Sequence, residues 1–267
     1  MTRYLVAFQA IVARELLRFT SQRGRFLSAL VRPLVWLLIF AAGFRAALGI
    51  SIIPPYLTYI TYEVYILPGL CAMILLFNGM QSSLSLVYDR EMGSMRLLLT
   101  APLPRWWLLL SKLCAGVFVG VLQVYAFLLF AALFGVDLPP AGYLLILPAL
   151  IIAGFMLGAL GLLISSLVQQ LENFATVMNF VIFPVFFLSS ALYPLWRMRE
   201  SSEFLYYVCA VNPFTYAVEL IRFSAYSAFS SMSLLVVVIT GILFFGFSVI
   251  AYTPARAGRG GRGPSQT

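Results

Sequence analysis

Any chemistry in this sequence has to come from nine carboxylates, three cysteines and seventeen basic residues, because there is no histidine. Without an imidazole there is no histidine-based triad, no histidine metal site and no histidine proton relay. Cys71, Cys114 and Cys209 are widely separated and lack metal-ligand spacing, and the first two fall inside apolar runs. They read as structural fillers. The phosphate-binding pattern Gly-x-x-x-x-Gly-Lys-[Ser/Thr] does not occur, and the one lysine, Lys112, follows Ser111 instead of a glycine run. The expectation is a chain with no catalytic residues, no metal and no cofactor of its own. If ATP energises it, the nucleotide site lies on another polypeptide.

The carboxylates are Glu15, Glu63, Asp89, Glu91, Asp137, Glu172, Glu200, Glu203 and Glu219, and all fall at the ends of apolar runs or between them. An ion-coupled carrier usually needs an ionisable group inside the membrane, so this distribution argues against one. Glu63, Glu172 and Glu219 stand within a turn of a boundary and keep that alternative open.

The elements that position these residues are set by composition. With 62% hydrophobic and 10% charged residues and a mean hydropathy of +0.99, the chain has too little polar surface to cover a core in water. It reads as an all-α polytopic membrane protein. Six apolar runs are long enough to cross a bilayer as helices, at about 28–50, 64–87, 107–134, 142–168, 173–195 and 232–253. They are continuously apolar and do not alternate as barrel strands would.

Residues 1–27 precede the first span. Leu5, Phe8, Val12, Leu16 and Phe19 follow helical spacing, while Arg3, Arg14, Arg18 and Arg25 share another face, which predicts an amphipathic interfacial helix. A cleaved signal peptide is the competing reading, but the first apolar run starts too late, is too long and is followed by further spans. Six spans put both termini on one side. Counting Lys112, thirteen of the seventeen basic residues then share that side, leaving Arg45, Arg197, Arg199 and Arg222 on the other. That bias predicts cytoplasmic termini and explains the net charge of +8 by topology and anionic lipid, without nucleic acid. Residues 254–267 are expected to form a disordered cytoplasmic tail, low in complexity from Gly258 on.

Gly116-x-x-x-Gly120 in the third span and Gly154-x-x-x-Gly158 with Gly161 in the fourth are spaced for close helix contacts. The fifth span mixes phenylalanines with polar residues, so Thr176, Asn179 and Phe183 are candidates to line a route between two subunits; ordinary lipid-facing and core phenylalanines are the alternative. Residues 196–231 are aromatic-rich, broken at Asn212-Pro213 and too polar for two full spans.

Between the second and third spans lies a charged segment, 88–106. Asp89, Arg90, Glu91, Arg96 and Arg105 cannot lie in hydrocarbon, so the segment sits at a water interface. Residues 89–99 have helix-forming composition with Gly93 as the weak point, and Pro102 and Pro104 stop the helix. An ordinary inter-helix loop is the competing reading.

Three motifs in this order resemble those of the ABC-2 type permease family, the membrane subunits of bacterial ABC exporters. They are Asp89-Arg-Glu-Met-Gly-Ser-Met-Arg-Leu-Leu-Leu-Thr-Ala-Pro102, Leu188-Ser-Ser-Ala-Leu-Tyr-Pro-Leu195 and Asn212-Pro-Phe-Thr-Tyr-Ala-Val-Glu-Leu-Ile-Arg222. The resemblance implies two permease copies, as a homodimer, working with two copies of a separate ATPase subunit that holds ATP and Mg. It implies that 88–106 docks in the ATPase as a coupling segment, with Glu91, Gly93 and Ser94 at the recurring positions and Asp89 and Arg90 beside them. Arg96 departs from the pattern, standing where many relatives carry an acidic residue. It further implies that 196–231 is an extracellular re-entrant helical hairpin carrying Asn212, Pro213, Glu219 and Arg222. The expected protein is then a multi-pass permease of the bacterial inner membrane exporting an amphipathic drug-like, lipid or glycan-type compound. A secondary transporter or channel not driven by ATP is the alternative, and a membrane-embedded lipid-modifying enzyme a more distant one.

Overall fold

The computed structural model describes residues 2–21, 31–39, 54–56, 60–91, 104–168 and 170–252. Helix α1 (Thr2–Ser21) is followed by helical residues 31–39 within the first predicted span, whose remainder lies outside the described residues. Then come α2 (Tyr62–Glu91), α3 (Arg105–Leu133), α4 (Gly142–Leu167) and α5 (Leu171–Phe187). Three shorter helices, α6 (Leu195–Ser201), α7 (Glu203–Val211) and α8 (Pro213–Ala225), lead to α9 (Ser231–Ala251). Among the described residues there is no strand.

Among the described residues, four helices are long and apolar enough to cross a membrane: α2 over Tyr62–Tyr88, α3, α4 and α9. The pair α7–α8, bent by 74° at Asn212, would make a fifth if taken as one broken span. α5 is apolar but stops at Phe187, short of the predicted boundary at 195. Hydropathy runs on because Leu188, Ala191 and Leu192 are apolar, yet the backbone turns there, and several of its carbonyls are satisfied by side chains instead of a further helical turn. Residues 196–231 hold α7 and α8, a bent pair that is either a broken span or a re-entrant loop, with α6 before them, and α8 is a core element with Phe214, Ala217, Val218 and Ile221 buried.

The core is the contact of α2 with α4, flanked by α3 and α8. It depends on glycine. A Cβ on Gly79 would lie 2.8 Å from the Gly158 Cα, and one on Gly161 would lie 2.7 Å from the Gly79 carbonyl oxygen. Backbone therefore meets backbone at the crossing, the close approach that small residues permit between helices in lipid. Gly116 and Gly120 let the α3 backbone approach the side chains of Ser82 and Asn78 of α2; Asn78 Nδ2 donates to the Gly116 carbonyl at 2.6 Å. By contrast, α9 leaves Leu235, Ile242, Phe247 and Ile250 exposed, as expected of a helix facing lipid.

Candidate functional site

Two of the three motifs meet at the end of the bundle where α2 begins. The turn Leu188–Tyr193 after α5 is held by side chains from both flanks. From α8, Asn212 Nδ2 donates to the carbonyls of Val185 (2.7 Å) and Leu188 (2.6 Å), and Arg222 Nη2 donates to that of Ser190 (2.8 Å). From α2, the Tyr65 hydroxyl donates to the same Ser190 carbonyl (3.1 Å) and the Tyr62 hydroxyl to that of Leu192 (2.9 Å). A helix C-terminus leaves its last carbonyls unpaired, so these bonds satisfy groups that would otherwise be buried without partners.

Asn212 has a second task. Its Oδ1 accepts from the Phe214 amide (3.0 Å), capping α8, and Pro213 occupies the first helical position, where its missing N–H costs nothing. One side chain thus starts α8 and closes α5. Thr215 Oγ1 donates to the Cys209 carbonyl (2.7 Å), tying α8 to α7 across the bend.

Arg222 is the centre of this cluster, only 3% exposed. Glu219, 23% exposed at its side chain, accepts from its Nη1 at 2.8 Å, and the Tyr65 ring lies 4.2 Å from the guanidinium carbon. Burying a guanidinium costs several kcal/mol, offset here by a carboxylate on Nη1, a carbonyl on Nη2 and an aromatic face, while Nε has no hydrogen-bond partner. Tyr56 closes the pocket, its ring 4.7 Å from that of Tyr226 and 6.4 Å from that of Tyr65.

At the other end of α2, Asp89, Arg90 and Glu91 form its last helical residues, while Gly93, Ser94 and Arg96 lie outside the described residues. α3 resumes at Arg105. Its Trp107 receives α1: Nε1 donates to the Tyr4 carbonyl (3.2 Å), and the rings of Tyr4 and Phe8 pack at 5.5 and 6.4 Å. The amphipathic helix is therefore fastened to the chain as it leaves the charged segment.

Along α5, Glu172, Thr176, Asn179, Phe180, Phe183 and Phe187 share one exposed face, with Phe180 78% exposed. The face continues onto Phe77 of α2, 6.5 Å from Phe183, over which Arg32 lays its guanidinium at 4.0 Å. The three candidate lining residues Thr176, Asn179 and Phe183 are thus on one uncovered surface with polar and aromatic character.

A family model described as ABC-2 type transporter matches residues 6–226. The chain belongs to the ABC-2 type transporter family. The permease is 29% identical over 222 residues to a protein named transport permease ycf38 from Cyanophora paradoxa, covering 80% of this chain and 72% of that one. A protein of the same name from Porphyra purpurea is also 29% identical, over 220 residues. A protein named multidrug ABC transporter permease YbhR, from Escherichia coli strain K12, is 31% identical over 157 residues, covering 58% of this chain and 42% of that one. The permease is accordingly a multi-pass membrane subunit of an ABC transporter, a class of subunit with no ATPase site of its own.

Four features of the cluster escape a reading of sequence alone. Tyr62 and Tyr65 look like interfacial aromatics, and their only signal is the spacing of three residues at the mouth of an otherwise apolar run. Glu63, one of the three boundary carboxylates, is buried against protein at the start of α2. Lys112, counted with the water-side charges, is 5% exposed among Asn78, Ser82 and Ser83, beside a cavity of about 10 Å³. Aliphatic length lets a lysine start inside a bundle and still count as a loop charge by sequence.

Proposed function

We propose that the permease forms the membrane pathway of an ATP-driven exporter. Two copies pair, each seats residues 88–106 in a separate ATPase subunit, and cargo passes along the uncovered α5 faces that bear Thr176, Asn179 and Phe183. The observation carrying this reading is family membership, whose match runs through the charged segment and both motifs of the opposite end. The uncovered, partly polar face of α5 supports the pathway, because a face turned wholly to lipid would have no use for Thr176 and Asn179. The charge bias supports a plasma-membrane subunit with cytoplasmic termini and 88–106 on the cytoplasmic side. The name of the Escherichia coli relative favours amphipathic cargo.

The mechanism needs no chemistry from this chain. ATP and Mg on the partner drive its closure; the charged segment follows as a packed element, since such elements move between discrete arrangements. Glu91, Gly93 and Ser94, with Asp89, Arg90 and Arg96, are the contacts through which it would be gripped.

The test is a complex of the permease with its ATPase subunit, reconstituted in liposomes and challenged with amphipathic compounds. Glu91→Ala and Gly93→Pro should each abolish compound-stimulated ATP hydrolysis while the purified permease keeps its melting temperature. Normal stimulation in both variants would reject the docking role. Transport that persists without nucleotide would favour an ion-coupled carrier, for which the buried Glu63 and Lys112 would be the groups to examine.

A further inference from the structure

The Ser190 carbonyl is claimed by two elements at once, Tyr65 of α2 and Arg222 of α8. α2 also touches this turn by its backbone: a Cβ on Gly69 would lie 2.7 Å from the Ala191 carbonyl oxygen and 2.8 Å from its Cα. Nothing compressible separates the helix from the turn. The same helix then crosses α4 at Gly79 on equally close terms, and ends in the charged segment at Glu91. At 30 residues it is a single helix about 45 Å long with Pro68 inside it, gripping the turn at one end and carrying the coupling residues at the other.

We propose that α2 is a lever pivoting where Gly79 meets Gly158 and Gly161, and that Tyr62 and Tyr65 are the positioning residues by which its far end moves the Leu188–Leu192 turn, opening or closing the end of α5. This rests on the proposed coupling of residues 88–106 to an ATPase. Because the contact at the pivot is backbone on backbone, little of a tilt at Glu91 is lost in side-chain rearrangement. At the far end the turn must either follow α2 through the two hydroxyls or stay with α8 through Arg222 and Asn212. Removing the hydroxyls leaves it with α8. The rings remain, so Tyr65 still faces the Arg222 guanidinium and the clasp with Glu219 survives.

Ser190 supplies a reporter. Its side chain is fully buried and its hydroxyl has no hydrogen-bond partner, so Ser190→Cys replaces oxygen by sulfur without removing a bond. The experiment uses the permease–ATPase complex in liposomes, with the thiol at position 190 labelled by a water-soluble reagent and each cysteine resolved by mass spectrometry. Labelling should change by at least about fivefold, the lower end of ordinary coupling between sites, when the ATPase is held in its ATP-bound state. Adding Tyr62→Phe and Tyr65→Phe should leave basal ATP hydrolysis near its starting value and lower the melting temperature only by what the Leu192 carbonyl loses with its donor, while making labelling independent of nucleotide. A merely structural role for the tyrosines would give the same fall in melting temperature but leave the nucleotide response in place. The lever is overturned if the complex assembles and hydrolyses ATP but labelling ignores nucleotide with both tyrosines present, or follows it in the double phenylalanine variant. Failure of the permease to bind any ATPase, measured first by co-purification, would instead overturn the coupling reading and the lever with it.

Discussion

At the scale of single residues, Asn212 shows how one polar side chain can decide the path of the chain. Its amide donates to two carbonyls at the end of α5 while its oxygen caps α8, so one side chain serves both helices. Asn212→Ala should lower stability by about 2–4 kcal/mol, from the lost cap and the carbonyls left without partners. Asn212→Asp should be no better, since a carboxylate keeps the cap but has no N–H to give and would face two carbonyl oxygens. Thermal unfolding of the detergent-solubilised permease checks both; an aspartate variant as stable as the parent would show that the carbonyl contacts contribute little. Arg222 obeys the same logic with charge. Its pairing with Glu219 makes the burial tolerable, and neither group is left with an isolated charge to carry as an ion shuttle would.

At the scale of elements, the α2–α4 crossing is the contact that fixes the bundle. Gly79→Ala would place a methyl 2.8 Å from the Gly158 Cα, with backbone on both sides and no flexible side chain to yield. Overpacking of that kind costs about 1–3 kcal/mol, so the expected result is a lower melting temperature and, if the crossing is a pivot, weaker coupling beyond the stability loss. Gly246→Ala on α9, where nothing lies within 4 Å, is the matched control and should be neutral or mildly stabilising. Equal effects at the two positions would argue that backbone proximity is not what limits the crossing. α1 belongs to this scale as well: fastened through Trp107, it is carried by α3 and does not simply float on the membrane surface.

At the scale of the whole molecule, the described residues leave one face partly polar and uncovered. α9 packs on α4 by one side and exposes Leu235, Ile242, Phe247 and Ile250 on the other, whereas α5 exposes Thr176 and Asn179 beside Phe180 and Phe183. A second copy against that face would shield the polar groups from lipid. Phe180→Cys should therefore give a disulfide-linked dimer on mild oxidation in the membrane, and Ile242→Cys on the lipid face of α9 should not. Cross-linking at α9 with none at α5 would relocate the interface and remove the proposed pathway.

Much of this was legible from residue order. Length of apolar run follows from solvation energies that no tertiary contact can reverse, and it determined a helical membrane protein. The glycine spacings also announced helix contacts, because a missing side chain has the same meaning in any bundle. What the sequence could not determine was who satisfies whom. That α5 stops at Phe187, that Lys112 and Glu63 are buried, and that Tyr62 and Tyr65 share a turn with Asn212 and Arg222 were decided only in the fold. The reason is physical: hydropathy sums over neighbours in the chain, whereas a buried carbonyl or charge is stabilised by whichever donor lies beside it in space, here between 125 and 130 residues away for the two tyrosines.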